Sequence, residues 1–201
     1  MKILAISCSP NKNGNTVTLL NKALEGAKAD GAAVELYNVA GKDLKPCDGC
    51  HACFKTGKCT LKDDFAPLYD KMLAADGIIF GAPVYYYGMC AQAKIIIDRS
   101  VALSQPDRTL ANKVGGVVAV AGSLGLVDAV KDFCFYFVAR RMLTANYLAA
   151  YGLEPGDVKK LEKCMQAAYD LGRTMVAVVK SDFKYPLDLM GRAIAYGTHT
   201  K

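Results

Sequence analysis

The sequence predicts an α/β fold, a five-stranded parallel sheet with helices on both faces. Two observations carry that prediction. Short apolar runs of strand length alternate with stretches whose apolar residues recur at helical spacing, which is the pattern of strands joined by crossover helices. Polar or glycine-bearing segments follow the first, third and fourth runs, where open α/β sheets bind ligands.

The elements follow in chain order. Lys2 to Ile6 is an apolar run of buried-strand length, and it breaks into polar Ser7 to Thr16 before Leu20, Ala23, Leu24 and Ala27 mark a helix. A strand over Ala33 to Val39 comes next, then a helix over about Phe65 to Ala75 and a strand over Gly77 to Phe80. A helix over about Ala91 to Leu103, a strand over Val114 to Ala121 and a helix over about Leu126 to Ala145 continue the series. Tyr147 to Tyr151 is the fifth strand, and Glu154-Pro155-Gly156 starts a long helix reaching about Lys180. Two loops, Ala40 to Asp64 and Gly81 to Cys90, exceed what crossovers need, and long loops in compact domains usually carry function. The organisation expected is one domain over residues 1–180 with a cysteine-rich loop at 46–62, and a C-terminal tail over 181–201.

Composition narrows the function classes. With 52% apolar and 22% charged residues the 201-residue chain can bury a sizeable core, so disorder is excluded. The formal net charge of +6 comes without any cluster of five or more Lys/Arg, which gives no support to nucleic-acid binding. The longest uncharged stretch, Gly77 to Ala93, holds Gly81, Pro83 and three tyrosines and fits a membrane helix poorly. Ile3 to Ile6 is too short for the core of a signal peptide, so the expected location is cytoplasmic.

Three segments carry the chemistry. Ser7 to Thr16 offers the hydroxyls of Ser9 and Thr16, the amides of Asn11 and Asn15 and a flexible Gly14 at the start of a helix. Unpaired N–H groups and the positive end of the dipole make that a phosphate cradle; the competing reading is that Asn15 and Thr16 only cap the helix. Neither G-x-x-x-x-G-K-[ST] nor G-x-G-x-x-G follows the first strand. After the third strand, Pro83, Val84, Tyr85, Tyr86 and Tyr87 lie between Gly81 and Gly88 and suit a flat aromatic ligand, unless the rings are core or interface aromatics. Gly122 and Ser123 add a small-residue turn after the fourth strand. A phosphate cradle and two walls for a planar ring describe a mononucleotide.

Four of the eight cysteines, Cys47, Cys50, Cys53 and Cys59, have the spacing C-x2-C-x2-C-x5-C. That is close to a ferredoxin iron–sulfur signature, while free or redox-active thiols and zinc remain open. Phe54 and Leu61 are candidates for apolar cover, and His51 is read as a loop residue. Cys8, Cys90, Cys134 and Cys164 are read as packing cysteines.

The phosphate stretch Ser9 to Thr16, the segment Pro83 to Tyr87 and Lys94 to Arg99 resemble the NAD(P)H-dependent FMN reductase branch of the flavodoxin-like superfamily. Pro46 to Cys59, followed by Asp63-Asp64, is similar to the compact motif of its iron–sulfur flavoproteins. The resemblance implies that Ser9, Asn11, Asn15 and Thr16 hold the phosphate of FMN, that Pro83 to Tyr87 and the Gly122-Ser123 turn hold the isoalloxazine, and that Asp98 and Arg99 are salt-bridge partners. It also implies a homodimer or homotetramer, with a 4Fe-4S cluster on the four clustered cysteines near a flavin of the same oligomer. The expected function is an FMN-dependent oxidoreductase coupling NAD(P)H, as transient donor, or a ferredoxin-like partner to flavin and cluster; the alternatives are a cluster-free reductase and a flavodoxin-like carrier. No catalytic side chain is assigned, since the cofactor carries the chemistry. Replacing Asn15 and Thr16 by alanine is expected to weaken flavin affinity with little loss of fold.

Overall fold

The structure, a computed structural model, describes residues 1–104 and 109–186. Five parallel strands form the sheet: β1 (Lys2–Ser7), β2 (Ala33–Asn38), β3 (Gly77–Tyr85), β5 (Val114–Ala121) and β6 (Leu143–Tyr151). Their order is β2-β1-β3-β5-β6, and a sixth strand, the two-residue β4 (Gly88–Met89), pairs antiparallel with the end of β3. Counting the parallel strands alone, this is the 2-1-3-4-5 order of the flavodoxin-like doubly wound fold. The sheet thus has six strands where five were expected, the extra one being a short hairpin arm.

Helices α1 (Asn15–Ala29) and α6 (Glu162–Lys180) cover one face; α3 (Ala66–Ala74), α4 (Ala91–Arg99) and α5 (Leu126–Arg140) cover the other. Alternate residues of the central strands feed opposite cores. Leu4, Ile6, Ile78, Phe80 and Val117 meet α3 to α5, whereas Ile3, Ala5, Ile79 and Val118 meet α1 and α6. Both faces being covered explains why the central strands β1, β3 and β5 read as continuous apolar runs. Helices α1 and α6 nearly touch: a Cβ on Gly172 would lie 1.7 Å from the Ala23 carbonyl oxygen, so only glycine permits that approach.

Several boundaries differ from expectation. Strand β3 continues to Tyr85 instead of ending at Phe80. Gly81 is there for packing, not for a turn, because a Cβ on it would lie 2.5 Å from Leu20 Cδ1. Pro83 lies past the last β1–β3 pair, Ser7 with Gly81, where its missing N–H breaks no ladder on that side. Helix α5 stops at Arg140, with Arg141 left-handed at φ 60°, and the next strand starts at Leu143, not Tyr147. Helix α4 ends at Arg99 and passes into a 3-10 turn, Ser100–Ser104. A second 3-10 turn, Asp157–Lys160, precedes α6. Of the expected tail, Tyr185 donates its backbone N–H to Asn112 Oδ1 over 2.9 Å, and residues 187–201 lie outside the described residues. Among the described residues, no helix is long and apolar enough to cross a membrane.

Candidate functional site

A cleft of about 610 Å³ opens at the C-terminal edge of the sheet. Its floor at one end is the loop from Ser9 to Thr16. Ser9 Oγ accepts the Asn11 N–H over 3.1 Å and Asn11 Oδ1 accepts the Asn13 N–H over 3.0 Å, so these acceptor oxygens shape the loop while both side chains keep their donor hydrogens. Gly14 is the N-cap of α1 and supplies no side-chain cap, and no acidic residue stands in the first turn. The N–H groups at the start of α1 therefore keep their capacity to bind an anion.

Asn15 has a second task. Its Nδ2 donates to the Glu154 carbonyl over 2.9 Å, and its Oδ1 accepts the N–H of Gly156 over 2.9 Å and of Val158 over 3.5 Å. The side chain ties the loop after β6 to the loop after β1. This changes the expectation that Asn15 is dispensable for the fold: neither reading, cap or ligand, included that clamp.

The opposite wall is the hairpin between β3 and β4. Tyr85 pairs with Gly88, leaving a two-residue turn of Tyr86 and Tyr87 at φ 50° and 68°. Positive φ at both central positions is the I′ geometry that Asn-Gly fills most readily, and tyrosines there are strained. The turn packs so closely on Gly125 that only glycine fits there, since a Cβ on it would lie 2.5 Å from Tyr87 Cα. Tyr86 is 99% exposed and Tyr85 and Tyr87 about half.

All twelve residues expected around the cofactor (Ser9, Asn11, Gly14, Asn15, Thr16, Pro83, Val84, Tyr85, Tyr86, Tyr87, Gly122 and Ser123) line this one cleft. Sequence reading missed Val120, Leu124, Gly152, Leu153 and Pro155. The last three follow β6, and the strand-end rule applied to the fifth parallel strand would have found them. None of the lining residues is charged, so an anion here meets backbone N–H groups and neutral donors. Beneath the cleft loops Cys90 Sγ donates to the Cys8 carbonyl over 3.3 Å, and burial pushes both thiols up. They pack, as expected.

The four clustered cysteines line a separate cavity of about 330 Å³. Residues 46–62 leave the core between two zipped strands of loop: Lys45 N–H donates to Asp63 Oδ2 over 2.9 Å, Asp43 N–H to Asp64 Oδ2 over 2.8 Å, and Tyr37 to the Asp64 carbonyl over 2.9 Å. Within the loop a four-residue helix, α2 (Cys53–Thr56), turns Cys53 back toward the others. Cys47 and Cys50 are exposed; Cys53 and Cys59 are half-buried. Among the described residues no group of three or more His, Cys, Asp or Glu side chains is placed to hold a metal ion.

The domain side of the cavity is Arg99, Val101 and Ala102. Arg99 forms a fully buried ion pair with Asp63, as a salt-bridge role requires, while Asp98 pairs with Lys94 on the surface over 2.6 Å. For the Cys59 thiol, burial acts upward, but the Leu61 N–H, Arg99 and Tyr69 outweigh it and hold the thiol below its usual range. Phe54 lines the cavity, half exposed and packed against His51 with ring centroids 5.2 Å apart, together with Val101 and Ala102, whereas Leu61, also expected as apolar cover, is not among the lining residues.

Residues 1–151 match the sequence family described as NADPH-dependent FMN reductase. An iron–sulfur flavoprotein of Methanocaldococcus jannaschii is 38% identical over 190 residues, 90% of this chain and 98% of the relative. Among solved structures, a flavone reductase superposes with a TM-score of 0.71 at 25% identity over 90% of this chain, which spans 63% of that longer one. A flavodoxin from the domain Archaea has a TM-score of 0.61 at 19% identity, covering 90% of this chain and 99% of its own; that likeness bears on the fold.

Proposed function

Because the chain belongs to the NADPH-dependent FMN reductase family and is a flavin-dependent NAD(P)H oxidoreductase, we propose that it moves electrons between a nicotinamide nucleotide, an FMN in the cleft and a 4Fe-4S cluster on Cys47, Cys50, Cys53 and Cys59. The observation that carries this reading is the convergence of an uncapped helix N-terminus and an aromatic hairpin on one uncharged cleft.

The donor set fits FMN. The backbone of Gly14 to Thr16, with the donors of Ser9, Asn11 and Thr16, would hold one phosphate dianion. Pro83 to Tyr87 and Gly122-Ser123 would bound the ring. Four thiols lining one cavity are the donor set that a soft iron–sulfur centre would take. When bound, a flavin exchanges electrons in pairs or singly and a cluster exchanges them singly.

The chain's own residues position and exclude. Gly125 leaves room for the Tyr86-Tyr87 turn, and the exposed tyrosine rings border the open side, where a nicotinamide would have access. With no charged group lining the cleft, no side chain there is assigned as general acid or base.

The test is protein purified without oxygen, its released flavin identified and its iron and acid-labile sulfide measured. FMN is expected, and NADH or NADPH should bleach it. FAD would sink the single-phosphate cradle. Bleaching by dithionite but by neither nucleotide would hand the donor role to a ferredoxin-like protein. Single Cys→Ala changes at 47, 50, 53 and 59 should lose iron and keep FMN, whereas Cys134→Ala should lose neither. Flavin without iron, even after reconstitution, would leave a cluster-free reductase.

A further inference from the structure

The four corners of the cysteine cavity are not equivalent. Cys47 and Cys50 face solvent. Cys59 instead faces a guanidinium, with Arg99 Nη2 donating to its Sγ over 3.5 Å. The rest of that side chain is held from three sides. Nη1 donates to the Asp63 carboxylate and, over 3.2 Å, to the Lys45 carbonyl; the Phe65 ring lies 4.3 Å from the guanidinium carbon. Tyr69 braces the backbone of the same residue, its hydroxyl donating to the Arg99 carbonyl over 3.1 Å.

Arg99 is only 2% exposed, yet its Nε has no partner among the described residues although the side chain lines the cavity. Buried guanidinium donors seldom go unanswered, because each one left unmet carries a desolvation cost. A cavity ringed by thiolates and their iron-bound sulfide would supply acceptors.

We propose that Arg99, braced by Asp63, is a positioning residue that fixes Cys59 as the domain-side ligand of the iron–sulfur group and raises that group's reduction potential. The proposal rests on the cluster reading given above. Donors and positive charge beside a ligand sulfur favour the more negative, reduced state. Asp63 acts in the opposite sense, since its carboxylate offsets part of the guanidinium's charge. The two residues of one ion pair are therefore expected to shift the potential in opposite directions, whereas a clamp that only holds the loop would shift it in neither.

The experiment is an anaerobic redox titration of the holoprotein, following the cluster's electron paramagnetic resonance signal, with iron, sulfide and flavin measured on each sample. Arg99→Lys keeps a cation for Asp63 but loses the fork that reaches Cys59. It should lower the potential by about a tenfold change in the one-electron equilibrium, about 59 mV. Asp63→Asn should raise it. Tyr69→Phe, which removes one hydroxyl and leaves the ion pair whole, should lower it less than Arg99→Lys, and it decides the question where the pair variants fail to fold. Unchanged potentials at full iron content overturn the proposal, as do shifts of the same sign in Arg99→Lys and Asp63→Asn. Wild type with flavin but no iron after reconstitution overturns the cluster reading itself, and the proposal with it.

Discussion

The cleft draws its residues from the ends of four parallel strands, β1, β3, β5 and β6, whereas the cysteine cavity draws its four sulfurs from one short loop outside the sheet. The walls after β1, β3 and β5 are anchored to strands buried on both faces along most of their length, and the one after β6 to a strand buried on one face, so their geometry is set by the main cores. The loop has no such frame. It is tied at its base by backbone hydrogen bonds to Asp63 and Asp64 and across its inner side by Arg99. A rigid site spreads its support over many contacts; a site on a loop concentrates it in few, and those few are the places to break it.

The largest effect is expected at Arg99. Arg99→Ala leaves the Asp63 carboxylate buried and unpaired, a change that costs about 3–5 kcal/mol. Urea unfolding should show a loss of that size, with residues 46–62 becoming cleavable at Lys55 and Lys58 well before the sheet unfolds. A loss below about 1 kcal/mol, the scale of an exposed pair, would mean that the loop is held elsewhere.

On the cleft side the matching test is Asn15→Ala. It strips the acceptor from the Gly156 N–H and the donor from the Glu154 carbonyl, two part-buried hydrogen bonds each worth about 0.5–1.5 kcal/mol. Stability should fall by that much and flavin affinity with it, because the loop from Gly152 to Pro155 lines the cleft. Thr16→Ala should lower affinity with little loss of fold. Equal stability in the two variants would remove the clamp from the account.

These two hubs also mark what the sequence hides. Local features were legible: the Ser9 to Thr16 loop, the tyrosine run and the C-x2-C-x2-C-x5-C spacing each declare themselves within a few residues, and the apolar alternation indicates the parallel sheet. Partnerships across the chain were not. Asn15 bonds to residues 139 to 143 positions away and Arg99 to one 36 positions away, and nothing in the spacing of an Asn or an Arg names such a partner. The boundary errors have the same origin. Gly81 and Pro83 signal a turn locally, but Leu20 of α1 requires the glycine and the end of β1 permits the proline. In the same way, no Gly or Pro marks the end of α5, because Arg141 takes the left-handed position itself.

A smaller effect follows from pH. The Asp63 carboxyl is pushed up by burial but held below the usual carboxylate range by Arg99 and by the N–H groups of Lys45 and Phe65. Its folded pKa is therefore lower than its unfolded one. The stability it contributes is fully present above about pH 4 and is lost as pH falls through the lower folded value. Hydrogen-exchange protection in residues 43–65, taken relative to the intrinsic rate at each pH, should fall on acidification below the usual carboxylate range. In Asp63→Asn that acid response should be reduced, and a response of undiminished size would assign it to other carboxylates.

The smallest effect should have the opposite sign. Tyr86 occupies a left-handed conformation at φ 50°, which costs an L-residue with a Cβ about 1–2 kcal/mol, and at 99% exposure its ring gains almost nothing from burial. Asparagine tolerates that conformation far better and is favoured at the first central position of such a turn. Tyr86→Asn should thus stabilise the apoprotein by about 0.5–1 kcal/mol, a fraction of that penalty. If the ring is part of the wall against which flavin and nicotinamide meet, the same change should weaken flavin binding or slow its reduction by NAD(P)H. Urea unfolding of the apoprotein and flavin titration of the holoprotein measure the two sides separately. A gain in stability with unchanged affinity and unchanged reduction would show that Tyr86 strains the hairpin without serving the cleft, and the wall would then rest on Tyr85 and Tyr87.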